Sequence, residues 1–326
     1  MTAAAFSIGV DFGGTNLRIA AYAQESGLLE TILLATRLRD GPGAVSSDMS
    51  AAIRGLLDRY SPQHALAGIG IGSPGPLELP AGRLRQPPNL PGWDGFELRS
   101  TLERALGTGV LVENDANVAA LAEYALGKGK KLGADSLCML TLGTGVGAGI
   151  ILHGQIWDGM SGMAGEAGHL NIWTDGVACG CGGRGCLEPY ASATGVRRMA
   201  DERIAGGNAP GLAALQKRNP AFSAQEVAEL ARSGDKDARE IYEIVGRSLG
   251  VGLASLVNVL NLPLYVLGGG VAASWDLFSP ALFEELRHRS YVYRLTMPEV
   301  SRTELGADAG LLGACLLPFS KGVSHA

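Results

Sequence analysis

The sequence predicts an α/β protein built as two lobes, each a mixed β-sheet flanked by helices, with a cleft between them. Three observations point there. At 326 residues the chain is long for one hydrophobic core. Short apolar, strand-like runs alternate with longer stretches of helical periodicity. A strand, a turn of glycine and threonine, and a second strand at 5–22 recur as a unit at 136–152, as in a duplicated fold.

Residues 5–10 are apolar and run into Asp11-Phe12-Gly13-Gly14-Thr15-Asn16, with 17–22 as the returning strand. Two adjacent glycines permit a tight hairpin whose backbone amides can face a phosphate. Residues 28–36 add a third strand. The stretch 46–60 places Met49, Ile53, Leu56 and Leu57 on one helical face, and 66–71 is a short strand ended by Pro74 and Pro76. Ser73-Pro74-Gly75-Pro76 and Pro87-Pro88-Asn89-Leu90-Pro91-Gly92-Trp93 read as stiff loops. A helix over 96–106 and a strand over 110–112 lead to Glu113-Asn114-Asp115, and a strong helix former, 116–126, begins immediately after. Asp115 is thereby expected at a strand's carboxyl end beside a helix N-terminus, where open α/β folds put their chemistry. It also suits an N-cap, and capping and catalysis are compatible.

Strands 136–142 and 147–152 flank Gly143-Thr144-Gly145-Val146, the second glycine turn. Helices follow at 191–204, 224–231 and 236–260, the last ended by Asn261-Leu262-Pro263. A strand at 264–267 runs into Gly268-Gly269-Gly270, a turn that suits either a nucleoside or a tight strand-to-helix connection. A helix at 275–289, a strand at 291–299 and a final helix at 306–317 complete the reading. The division expected is a small lobe of 1–118 plus 306–326 and a large lobe of 119–305.

Within the large lobe, His169, Cys179, Cys181 and Cys186 fall in one glycine-rich segment, 166–188. One imidazole and three thiolates complete a tetrahedral zinc set, and Gly180, Gly182, Gly183 and Gly185 let the chain turn between them. Four protein ligands leave no open position, so the ion would be structural. It would pin Glu166 and Glu188 at the ends of a rigid loop. The other two cysteines, Cys138 and Cys315, form no paired framework, and the usage fits a reducing cytosol.

Composition narrows the classes. A net charge of −5 with no basic block argues against nucleic-acid or membrane-surface partners. The first residues lack the basic start of a signal peptide, and no segment reaches the roughly 18 uninterrupted apolar residues of a membrane helix. The 48 glycines cluster at the turns named above, so they mark special backbone positions. Neither a Gly-x-x-x-x-Gly-Lys-Ser/Thr loop nor a protein-kinase signature occurs, which leaves the two glycine turns as phosphate holders.

Taken together, Asp11-Phe12-Gly13-Gly14-Thr15-Asn16-Leu17-Arg18, Glu113-Asn114-Asp115, Gly143-Thr144-Gly145-Val146-Gly147, Glu166-Ala167-Gly168-His169 and the Cys-x-Cys-Gly-Gly-x-Gly-Cys run resemble the ROK family of repressors, open reading frames and kinases, over essentially the whole chain. Among its members the likeness is to bacterial glucokinases. The resemblance implies the duplicated actin-like ATPase (ribonuclease H-like) fold, and transfer of phosphate from ATP to the C6 hydroxyl of glucose. It implies Asp115 as general base, with Gly75, Asn89, Asn114, Glu166, His169 and Glu188 contacting the sugar. Asp11, Gly13, Gly14, Thr15, Asn16, Gly143, Thr144, Gly145, Gly269 and Gly270 would serve the nucleotide, with Asp11 near magnesium. It further implies a homodimer. Fructose, N-acetylglucosamine, N-acetylmannosamine and allose remain alternative sugars, and ADP or polyphosphate alternative donors. Family regulators carry an amino-terminal helix-turn-helix, for which the position of Asp11 leaves no room. The remaining histidines, His64, His153, His288 and His325, receive no role.

Overall fold

The computed structural model describes residues 5–87 and 89–320; Pro88 of the expected stiff loop lies outside them. Elements are numbered in chain order. Two compact units emerge, one of 1–136, 149–165 and 304–326, the other of 137–148 and 166–303.

In the first unit β1 (Ala5–Phe12), β2 (Asn16–Ala23) and β3 (Gly27–Ala35) form an antiparallel meander. β4 (Ala65–Ser73) and β7 (Val110–Asn114) add parallel to β1, for a sheet ordered β3-β2-β1-β4-β7. α1 (Gly41–Tyr60) covers one face: Met49, Ile53 and Leu56 are buried among Phe6, Ile8, Val10, Ile19 and Ile69, as the helical periodicity predicted. α2 (Leu98–Leu106) packs beside it, and Phe96 stays outside the helix against Trp93. Two-residue strands β5 (Leu77–Glu78) and β6 (Arg83–Leu84) make a small ladder too short to announce itself in the sequence. α3 (Asp115–Ala125) and the single turn α4 (Lys128–Leu132) follow β7. The chain's last described helix, α12 (Ala309–Ser320), returns to this unit and packs on β4, β1 and α3.

The return of this helix was expected; the grouping of 119–136 and 149–165 with the first unit was not. A boundary after residue 118 would cut through α3; instead 119–136 stay with the first unit. α12 buries α3's apolar face, and the Leu305 N–H donates to Glu123 Oε1 at 2.8 Å.

The second sheet runs β10-β9-β8-β11-β12, from β8 (Leu137–Leu142), β9 (Val146–Leu152), β10 (Gln155–Ile156), β11 (Leu264–Gly268) and β12 (Glu299–Arg302). β11 is parallel to both β8 and β12. This repeats the order of the first sheet, strand for strand, and the duplication expected from the paired hairpins is present. By contacts β8, β11 and β12 group with the second unit and β10 with the first, and helices α5 (Glu188–Ala191), α6 (Ala193–Ala205), α7 (Pro210–Arg218), α8 (Ala224–Arg232), α9 (Lys236–Leu260), α10 (Trp275–Arg289) and α11 (Tyr291–Thr296) belong to the second unit.

α9 begins at the Asp235 cap, whose Oδ1 accepts the Ala238 N–H at 2.8 Å, and ends where Asn261 turns left-handed ahead of Pro263. It is long and apolar enough to cross a membrane, yet half of its apolar window is buried, with Leu249, Leu253 and Val257 inside and α10 packed along it. These contacts mark it as the core helix of its unit.

The expected strand at 291–299 is not one. Its β-prone Tyr291-Val292-Tyr293 is captured by the Ser290 cap, which accepts the Tyr293 N–H at 2.9 Å and donates to Asn258 Oδ1 at 2.7 Å. α11 results, and β12 starts only at Glu299. Here a cap bond outweighed strand propensity. α7 went unread because its apolar positions, Leu212 and Leu215, are too few to set a period.

Candidate functional site

Strand register assembles the first group of residues. Asp11 pairs with Gly72, Gly72 with Glu113, and one step on Ser73 pairs with Asn114. Three parallel strands thus deliver Asp11, Ser73 and Asn114 to one carboxyl edge, where α/β sheets gather their polar groups. Asp115 opens α3 there, half-buried. The cap is Asn114 instead of Asp115: Asn114 Oδ1 accepts the Ala116 N–H at 2.9 Å, and Asp115 Oδ1 shares that N–H at 2.8 Å. Asn114 also donates through Nδ2 to the Gly75 carbonyl at 3.3 Å, tying the Pro-Gly-Pro loop to the catalytic candidate's neighbour.

Glu113, fully buried, accepts the Asn114 N–H at 2.9 Å and the Asn117 Nδ2 at 3.0 Å. It locks the β7–α3 turn from beneath. Sequence reasoning passed over it; the four-residue spacing of Glu113 and Asn117 was the available signal. Gly72 was missed too. A Cβ on it would sit 2.6 Å from Val118 Cγ2, so only glycine lets α3 come this close to β4.

In the first glycine turn, the Gly13 N–H closes on Asn16 O at 2.9 Å, while Thr36 donates from Oγ1 to Gly13 O at 2.7 Å and from its N–H to Thr15 O at 2.8 Å. Gly14, Thr15 and Asn16 form the exposed tip. The Asp11 carboxyl lies 3.9 Å from Arg18; burial raises its pKa and the guanidinium opposes the rise. Arg18 is itself held by the Ala307 carbonyl, at 2.7 Å, and by Asp308. Asn89 is exposed beside this turn, its carbonyl 3.8 Å from where a side chain at Gly14 would begin. Buried Trp93 anchors the loop by packing against Phe12, the rings tilted by 47° with centroids 4.9 Å apart.

The second unit holds the remaining residues. In the second turn the Gly143 N–H closes on Gly145 O at 3.0 Å. Gly269 follows β11 with φ of +85°, and a Cβ there would meet the Leu142 backbone at 2.6 Å, so the close passage past β8 alone demands glycine. Gly270 has open space at the same place.

His169, Cys179, Cys181 and Cys186 offer ligand atoms that all lie within 4.8 Å of one another. The Cys181 and Cys186 sulfurs are 3.8 Å apart, and His169 Nδ1 is 3.7 Å from Cys179 Sγ. Zinc–sulfur bonds of about 2.3 Å in a tetrahedron put sulfurs about 3.8 Å apart, so the donor set has the spacing of one small tetrahedral cation. Burial pushes Cys186 up to about 12 and raises Cys179, while the Gly183 N–H lowers Cys181. A divalent cation binding thiolates offsets that burial.

The two glutamates flank this cluster. Glu166 Oε2 lies 3.9 Å from His169 Nε2, the ring nitrogen turned away from the cysteines. Its pKa is raised by burial, lowered in part by His169 and raised further by Glu188. Glu188 heads α5 and accepts the Val146 N–H through Oε2 at 2.9 Å.

The fold and site together define a duplicated α/β protein with a glycine turn in each half and, in the second, a His/Cys cluster whose four side chains could hold one metal ion. The chain belongs to the ROK family, whose pattern it matches over residues 7–320. It stands with the sugar kinases of that family. It is 35% identical over 312 residues to the glucokinase of Halalkalibacterium halodurans, covering 94% of this chain and 92% of the relative. The ROK hexokinase of Thermus thermophilus superposes with a TM-score of 0.78 at 35% identity, over 95% of this chain and 97% of that one. A ROK-family glucokinase from Streptomyces griseus, solved in complex with glucose and AMPPNP, gives a TM-score of 0.78 at 32% identity, over 96% and 98%.

Proposed function

We propose that the protein is an ATP-dependent hexose kinase that phosphorylates the C6 hydroxyl of glucose, with Asp115 as general base. The observation that supports this most is the half-buried Asp115 carboxylate at the β7–α3 junction, steadied by the Asn114 cap and by Glu113 below it. In this reading Asp115 accepts the hydroxyl proton as the oxygen attacks the γ-phosphorus in line.

An uncharged polyol is gripped by many hydrogen bonds, which Asn89, Asn114, Glu166, His169, Glu188 and the Gly75 backbone supply. The Gly13 and Gly143 amides close their own turns, so phosphate contacts fall to the tips at Gly14, Thr15, Asn16, Thr144 and Gly145. Gly269 and Gly270 would pass the nucleoside. Asp11 would hold magnesium, directly or through water; its carboxylate fits, because a cation would offset the burial that raises its pKa. Magnesium supplies neutralisation of the phosphate charge. His169, Cys179, Cys181 and Cys186 would hold zinc as a closed structural set. Thiolate ligands suit a reducing cytosol.

The test is a panel of initial rates with glucose, fructose, N-acetylglucosamine, N-acetylmannosamine and allose, each with ATP, ADP or polyphosphate. The expected optimum of kcat/KM is glucose with ATP. A hexose better by about tenfold would replace glucose and keep the mechanism, since one hydroxyl changes discrimination by at least that much. No transfer to any sugar overturns the proposal.

A further inference from the structure

Both ends of the metal loop reach the second glycine turn. Gly168, next to His169, lies so near Val146 that a Cβ there would strike the Val146 carbonyl oxygen. Glu188, two residues after Cys186, accepts the Val146 N–H at 2.9 Å, and its carboxylate fills the space where a side chain at Gly145 would go. The two ends are also joined, Leu187 N–H donating to Leu170 O at 2.9 Å. Just beyond, Ala193 N–H donates to Gly143 O at 2.8 Å and Thr194 Oγ1 to Thr144 O at 2.8 Å. Each residue of the Gly143-Thr144-Gly145-Val146 turn is therefore touched by 188–194.

We infer that Glu188 is a positioning residue for this turn, and that the metal loop sets nucleotide affinity through it. The inference rests on reading the turn as a phosphate holder. A Gly-Thr-Gly turn has much backbone freedom to lose, and amides that are aimed beforehand bind an anion without that cost. A carboxylate is the strongest acceptor a protein can place on a backbone N–H. Glu188 opens α5, and the chain leading into it runs from Cys186 through the Leu187–Leu170 bond. A metal cross-linking His169 to Cys186 ties both approaches at once. Contact with a sugar alone would not call for the bond to Val146.

The experiment titrates the magnesium complex of a non-hydrolysable ATP analogue, without sugar, into the metal-loaded protein by calorimetry. Hydrogen exchange at the Val146 amide is followed alongside. Glu188→Ala and chelator-stripped protein are expected to bind about tenfold more weakly, the loss of one charge-assisted hydrogen bond, with faster exchange at Val146. Glu188→Gln keeps an acceptor oxygen and should stay within about threefold of wild type. Thr194→Val, at an exposed position, should weaken binding by about threefold with the fold intact. Wild-type affinity and a protected Val146 amide in folded Glu188→Ala or stripped protein would overturn the inference. If either fails to fold, unchanged affinity in Thr194→Val does so instead. Absence of nucleotide binding by the wild-type protein would instead remove the reading of the turn on which the inference stands.

Discussion

His169 faces two ways: its Nδ1 is 3.7 Å from Cys179 Sγ, and its Nε2 is 3.9 Å from Glu166 Oε2. One nitrogen joins the thiols and the other meets a carboxylate. At 3.9 Å the pair stands just outside hydrogen-bond distance, and closing that gap would fix the ring's tautomer and orientation and make it a better ligand.

Glu166→Gln should therefore lower metal affinity by about 10- to 100-fold, read by competition with a chromophoric chelator. Unchanged affinity would show that Glu166 does not orient the ring. Chelation of the wild-type protein should lower its melting temperature, because a cation held by the His/Cys cluster would cross-link 169 to 186 only in the folded state.

Asp115→Asn should keep the fold and the sugar KM while kcat falls by about 10²- to 10⁴-fold, the usual worth of a general base. The amide preserves the shape of the carboxylate and its acceptor oxygen for the Ala116 N–H. Near-normal turnover in a coupled assay would take the base role away from Asp115.

Burial pushes the Cys138 and Cys315 thiols up to about 12. In the unfolded chain a thiol ionises near pH 8.5, so below roughly that pH both states are protonated and stability is unaffected. As pH rises from there toward 12, the unfolded state releases the proton first, and each thiol lowers stability by about 1.4 kcal/mol per pH unit. Denaturant midpoints measured at pH 8 and 10 should fall less steeply in a Cys138→Ala, Cys315→Ala double variant. Equal slopes would place the alkaline loss elsewhere.

Gly72→Ala should cost about 1–3 kcal/mol in denaturant unfolding, the usual penalty for forcing extra volume into a packed contact. Val118→Ala in the same chain should return part of it, because Val118 Cγ2 is the atom in the way. Additive losses would mean that α3 yields without pressing on Val118.

Much of the site was legible because its chemistry sits in short runs. Four ligands within one loop and Glu113-Asn114-Asp115 at the end of a strand need only local spacing to be noticed. Glu113 itself was passed over, since its work, holding Asn114 and Asn117 from a fully buried position, is defined by contacts and not by its place in a motif. Gly72 was missed, and the packing role of Trp93 within its stiff loop went unread, for the same reason: Val118 and Phe12, which explain them, are remote in sequence.

By itself the sequence determined the duplicated α/β pattern, the helix face of α1, the two glycine turns and the four residues of the His/Cys cluster. Periodicity, turn chemistry and ligand type are properties of neighbouring residues. Tertiary structure decided that 119–136 belong with the first unit, that Asn114 caps α3, that 291–296 is helical, and that Glu188 braces Val146. Each of those outcomes was settled by a particular donor, acceptor or packed surface, and only the folded chain says which residue supplies it.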